Sequence, residues 1–92
     1  MEITNTGQAG TVESSDCIVT VSPRDNGIEI NIESTVKLQF GDHIKELIES
    51  FLVKKKITNA SLFINDRGAL DYVILSRLES AILQASGYKE GL

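Results

Sequence analysis

With one cysteine, one histidine, one proline and no tryptophan, this 92-residue chain carries little catalytic equipment. A lone cysteine, Cys17, excludes an intrachain disulfide and fits a reducing compartment, so a cytoplasmic setting is expected. His43 and Cys17 lie far apart and show no ligand spacing, so no soft-metal site is expected. His43 falls in a helical stretch among charged residues. It is expected to face solvent rather than to serve as a general base. No apolar run approaches the about 20 residues that cross a bilayer. The N-terminal "MEITNTGQAG" has neither the basic region nor the apolar core of a secretory signal, so none is expected there. Positive charge is also in short supply. Thirteen acids against nine Lys and Arg leave a net charge of −4, which disfavours nucleic acid and anionic membrane and suits a basic protein surface as partner.

What is present is ordinary for a water-soluble domain, with 41% hydrophobic and 24% charged residues. One domain spanning 1–92 is expected, with 1–8 as a flexible lead and 88–92 as a flexible tail. A chain of this length buries only about 60–65% of its unfolded surface, so a deep cavity would cost much of the core. There is no internal repeat and no low-complexity segment.

The first half alternates with period two. In "CIVTVS" Cys17, Val19 and Val21 share one face, and in "IEINIE" Ile28, Ile30 and Ile32 alternate with polar residues, as half-buried strands do. "PRDNG" between them reads as a hairpin turn, with Pro23 setting φ early and Gly27 able to take a positive φ. "AGTVE" reads as a further strand, which predicts a three-stranded meander. The period then becomes helical from Thr35 to about Val53 through Val36, Phe40, Ile44, Leu47, Ile48 and Phe51. Ser34 is the expected N-cap. Gly41 marks a place for a kink or a restart at Asp42. Lys54, Lys55 and Lys56 form a solvated charge run at the helix end. A strand over Ile57–Ile64 with Ala60, Leu62 and Ile64 inward, a turn at "NDRG" and a helix from about Ala69 to Ser86 with Gly87 as C′ residue complete the pattern. The expected fold is α+β. It is a small two-layer sandwich in the order β-β-β-α-β-α, with a mainly antiparallel sheet and both helices on one face.

The stretch "AGTVESSD", Ala9 to Asp16, places two serines between two acids. By composition "ESSD" is a tight turn, since Ser and Asp side chains bond nearby backbone. A catalytic serine needs a base, and none is near in sequence. A third reading makes Ser14 an exposed attachment point for a phosphate-bearing group that carries the reactive atom itself. Glu13 and Asp16 would then form an acidic rim for basic partner enzymes. Cys17, inward with Val19 and Val21, is expected to be a core thiol. "NDRG" lacks the later ligands of a calcium loop, so no metal is expected there.

"AGTVESSD", "ESTVKLQFGD" (Glu33–Asp42) and "DRGALDYVILSRLESAILQASG" (Asp66–Gly87) together resemble the acyl carrier (gamma) subunits of citrate lyase. The resemblance runs from about Ala9 to Gly87. It implies a non-catalytic carrier whose Ser14 bears a 2′-(5″-phosphoribosyl)-3′-dephospho-coenzyme A group through a phosphodiester. The family often has glycine where this chain has Ser15. The group's thiol would hold acetyl and citryl thioesters while citrate is cleaved to acetate and oxaloacetate. The implied partners are the alpha (transferase) and beta (citryl lyase) subunits and a prosthetic-group transferase. Tethering keeps the intermediate at high effective concentration. The alternatives are the related carrier of malonate decarboxylase and an unmodified interaction module. An ordinary phosphopantetheine carrier fits less well, because no Asp-Ser-Leu occurs.

Overall fold

The computed structural model describes residues 1–35 and 37–87, with the backbone alone for 37–41. The elements are β1 (Gly7–Gly10), β2 (Cys17–Ser22), β3 (Ile28–Ser34), α1 (Lys37–Lys54), β4 (Ala60–Asp66) and α2 (Asp71–Ala85). The order is the expected β-β-β-α-β-α, and the fold is α+β. Val36 and the tail from Tyr88 to Leu92 lie outside the described residues, as does the side chain of Phe40. The backbone of α1 runs through Gly41 without a restart at Asp42.

The four strands form one sheet in the order β1-β2-β4-β3. β1 with β2 and β2 with β4 are antiparallel, and β3 with β4 is parallel. The expected meander is therefore corrected, because β4 lies between β2 and β3. Two physical reasons account for this. β4 turns Ala60, Leu62 and Ile64 inward at 0% exposure, whereas β3 has no fully buried residue, and of the two the strand with the buried face belongs in the middle of the sheet rather than at an edge. The loop over 23–27 is also long enough to step across one strand. It makes the start of β4 its partner: Gly27 N–H donates to Asn59 Oδ1 (2.8 Å) and Ala60 N–H to Gly27 O (3.0 Å). Local turn chemistry announced a reversal correctly but not which strand would fill it. The parallel β3–β4 pair needs a crossover, and α1 supplies it.

Both helices cover the same face. α1 packs towards β3 and α2 lies over β1 and β2. Cys17, Val19 and Val21 from β2 meet Ile44, Ile48 and Leu52 from α1 and Ile74, Leu78 and Ile82 from α2 in one core. α1 ends in a Schellman turn. Ile57 N–H donates to Leu52 O and Lys56 N–H to Val53 O, both at 3.0 Å, with buried Leu52 and Ile57 at the ends of the motif. Lys56 takes the left-handed place with φ +58°. Lys55 Nζ lies 5.5 Å from the Phe51 ring centroid. The residue after α2's cap is Gly87, with φ +75°, as expected. Among the described residues no helix is long and apolar enough to cross a membrane.

Residues 1–8 were expected to be a flexible lead. In the structure Ile3 is 9% exposed, and Thr4 and Asn5 N–H both donate to Ala85 O at 2.8 Å. Gly7 and Gln8 open β1. β1 lies so close to α2 that a Cβ on Gly7 would stand 2.1 Å from Ala81 O.

Gly10 ends β1 at φ +108°, and a Cβ there would stand 1.8 Å from the Cys17 carbonyl oxygen. Gly27 also has a positive φ, +85°, but open space around it. Gly27→Ala should therefore cost only backbone strain, about 1–2 kcal/mol. Gly10→Ala adds a collision with backbone, worth about 1–3 kcal/mol more. Urea unfolding midpoints of the two variants test this ranking; equal losses would show that the Cys17 carbonyl yields freely.

Candidate functional site

β1 and β2 are joined by residues 11–16, which contain the serine pair. Asp16 N–H donates to Glu13 O at 3.2 Å, closing a turn with Ser14 and Ser15 at its centre. Ser15 has φ +66°. A positive φ at the third position of a turn is the feature of type II turns that favours glycine. This explains the glycine frequent at that place in the family that the sequence resembles. Ser14 and Ser15 are both exposed. No hydrogen bond is made by the Ser14 hydroxyl among the described residues. It is thus presented to solvent on a turn whose backbone is tied down.

The tie comes from two directions. Ser15 N–H donates to Arg67 O (2.8 Å), and Arg67 N–H donates to Asp16 O (2.9 Å). These bonds continue the β2–β4 ladder, in which Cys17 stands opposite Asp66. The second tie is the Asp16 carboxylate. Arg77 on α2 grips it with both ends of its fork, Nε to Oδ1 at 3.1 Å and an Nη to Oδ2 at 2.9 Å. Thr11 Oγ1 donates to Oδ2 at 2.7 Å and Cys17 N–H to Oδ1 at 2.7 Å. Arg77, then Thr11, then the Cys17 amide hold the Asp16 carboxyl well below the usual carboxylate range. Asp16 in turn raises the pKa of Arg77.

This placement corrects the expected acidic rim. Asp16 is not an outward-facing acid: its side chain is 14% exposed and its oxygens are committed to the turn. Glu13 remains exposed, and its N–H donates to Thr11 Oγ1 at 3.2 Å. Nothing in "AGTVESSD" distinguishes the two acids locally. The guanidinium that claims Asp16 is 61 residues away, and the only local hint was the strand beginning at Cys17.

Asp66 was also hidden in the sequence, as part of a turn. It closes β4 with its side chain on the inner face, 1% exposed. Ser34 Oγ donates to Oδ2 at 2.8 Å and Ala69 N–H to Oδ1 at 2.9 Å. The carboxylate thereby joins the end of β3 to the approach to α2. Ser34, the expected helix cap, instead closes β3, three residues before α1 opens. Beyond Asp66, a cleft of about 680 Å³ is lined largely by apolar groups of Ile44, Ala69, Leu70, Tyr72 and Ile74, with His43 and Asp71 among its polar lining residues. His43 faces solvent as expected, 54% exposed, with Nε2 at 2.8 Å from Asp71 Oδ2. Its ring makes no hydrogen bond to Ser14 among the described residues.

Cys17 is in the core at 0% exposure, as the alternation predicted. Burial first, and then the negative charges of Asp16 and Asp66, push its thiol up to about 11.

The chain matches, over residues 4–85, the acyl carrier family model described as Malonate decarboxylase delta subunit (MdcD). Relatives named citrate lyase acyl carrier protein include one from Clostridium perfringens, 48% identical over 91 residues, covering 98% of this chain and 90% of that one. Another, from Halothermothrix orenii, is 44% identical over 86 residues, covering 94% and 92%. Among solved structures, a chain of a Pseudomonas malonate decarboxylase hetero-tetramer in complex with malonate has the same fold. Its TM-score is 0.75 at 22% identity, over 92% of each chain.

Two outcomes follow from the site. A carboxyl depressed by folding binds fewer protons in the native than in the unfolded state. It therefore stabilises the fold above the unfolded value of about 4, and that contribution fades as pH falls towards the native value. The gap in urea midpoint between wild type and Asp16→Asn should be constant from neutral pH to about 5 and shrink progressively below about 4. A gap that ignores pH would remove Asp16's charge from the anchoring. Second, Cys17 should resist a thiol reagent under native conditions and react fully in denaturant. Rapid native labelling would contradict its burial.

Proposed function

The chain belongs to the citrate lyase acyl carrier protein family, and on that premise we propose that it is the acyl carrier subunit of citrate lyase, loaded through Ser14. The supporting observation is the state of that serine. Its hydroxyl is exposed and free of hydrogen bonds among the described residues, on a turn fixed beneath it by Asp16 and by the backbone of Arg67. An attachment serine needs this combination: access for a modifying enzyme and a base that does not move.

A phosphoribosyl-dephospho-coenzyme A group fits the position. Nothing roofs Ser14, and a phosphodiester there meets no partnerless buried acid, since Glu13 beside it is exposed to solvent and Asp16 is paired with Arg77. When bound, the group supplies a terminal thiol, on which the acyl chemistry is carried. The chain's own residues hold and present it. Gly10 starts the loop, Ser15 takes the left-handed bend, and Asp16 fastens the loop to α2. Catalysis then falls to partner subunits, the transferase and the citryl lyase, and loading to a prosthetic-group transferase. Glu13 is the exposed acid nearest the attachment point and the remaining candidate for steering basic partners. A cytoplasmic setting belongs to this reading, because Cys17 is a free thiol.

A second reading, the carrier of malonate decarboxylase, is favoured by the family model's description and by the structural neighbour. The 44–48% identity to citrate lyase carriers, against 22% to the decarboxylase chain, supports the citrate lyase reading over this one.

Protein purified from its native cells should show an intact-mass gain matching the group, localised to the peptide containing Ser14. Ser14→Ala should abolish the gain and the activity of the assembled complex. Its unfolding free energy should change by less than about 0.5 kcal/mol, as for exposed substitutions. Ser15→Gly should still take up the group. Continued uptake by Ser14→Ala would move the site to Ser15, and no gain in any native preparation would leave an unmodified interaction module. Co-purifying subunits that decarboxylate malonate would decide for the second reading.

A further inference from the structure

Three arginines occur in the chain. Arg24 pairs with Glu29 at 3.8 Å and Arg77 with Asp16 at 2.9 Å. Arg67 is exposed, and its guanidinium has no hydrogen bond or ion pair among the described residues. It is also the arginine that the fold stitches to the serine turn, through the Ser15 N–H to Arg67 O and Arg67 N–H to Asp16 O bonds. Asp66, one residue earlier, points into the core. Arg67 follows directly on the end of β4 and is exposed, as Ser14 is.

We propose that Arg67 is the phosphate-contacting residue of the attachment turn, its guanidinium binding the phosphodiester anion borne by Ser14. This rests on the Ser14 reading above and adds to it a residue that positions the first charged link of the arm. The electrostatics support the assignment. Within the turn, Asp16 is neutralised by Arg77 and does not compete for Arg67. That leaves a planar fork with its donors unengaged, next to the one place where an anionic ester would be built. Guanidinium groups bind phosphate oxygens in a bidentate way that an ammonium cannot reproduce. In a chain of net charge −4, a tethered phosphate arm would otherwise be repelled by the surface around it. Contact with Arg67 offsets this and gives the first link of the arm a preferred direction.

The test uses the full chain, loaded and unloaded. On loading, the side-chain Nε–H resonance of Arg67 should shift and its exchange with water should slow. The ³¹P resonance of the phosphodiester should differ between loaded wild type and loaded Arg67→Gln, with Arg67→Lys intermediate. The wild-type value should move towards that of Arg67→Gln as salt rises, because the contact is screened. Cys17 protection confirms that each variant is folded. An unchanged Nε–H signal in wild type, with the same ³¹P shift in wild type and Arg67→Gln, would overturn the assignment while leaving the attachment at Ser14 intact. Wild-type protein that never gains the group would overturn both.

Discussion

The pairing of Cys17 with Asp66 governs the functional end of this molecule. It is the last rung of the β2–β4 ladder, and everything at the serine turn is set by what lies one residue beyond it on each strand. On β2 that residue is Asp16, on β4 it is Arg67, and their backbones continue to bond. Had β2 paired with β3, as its turn suggested, the serine turn would stand beside Ser34 and Thr35 instead. The crossover through α1 is thus not only a means of covering the sheet. It delivers Arg67 to the side of Ser14.

Two carboxylates divide the task of fixing that end. Asp16 is bound by a guanidinium, a hydroxyl and an amide. It binds the turn to α2 by charge, so its contribution depends on ionisation. Asp66 is bound by a hydroxyl and an amide and links β3 to the segment before α2. A buried carboxylate without such donors would cost several kcal/mol. With them, each acid converts a loop into a fixed support. Neither carboxylate is hydrogen-bonded to the Ser14 hydroxyl among the described residues. The site therefore has rigidity without acid–base equipment, which suits the attachment role proposed for Ser14.

The parts of this arrangement that follow local rules were legible in the sequence. Alternation placed Cys17, Val19 and Val21 inward, helical spacing placed Ile44 and Ile48, Gly87 was the terminator of α2, and "ESSD" was a turn. The parts that depend on non-local pairing were not. Pro23 and Gly27 specify a change of direction, but a reversal of five residues serves a neighbouring strand or one position further, and only the competition of strands for the centre decides. Asp16 was taken for an exposed acid because its partner, Arg77, is brought near only when α2 packs on β2. Arg67 was seen only as part of a turn dipeptide, because its freedom is defined by the pairing of the other two arginines.

The same reasoning explains how a chain this small serves as a carrier at all. Its core is a single layer of side chains between one sheet and two helices, with little volume to spare for a catalytic cavity. A serine on the outermost turn takes nothing from that core. What the core contributes is position: Cys17, the first residue of the buried face of β2, directly follows Asp16, and its amide holds the carboxylate that holds the turn. Packing of the thiol in the apolar interior and presentation of the serine to solvent are consequently two ends of one short segment. Displacing Cys17 from the core would pull its amide from Asp16 and loosen the base on which Ser14 stands. Ser14 is exposed, but the rigidity of its turn is inherited from the most buried part of the molecule.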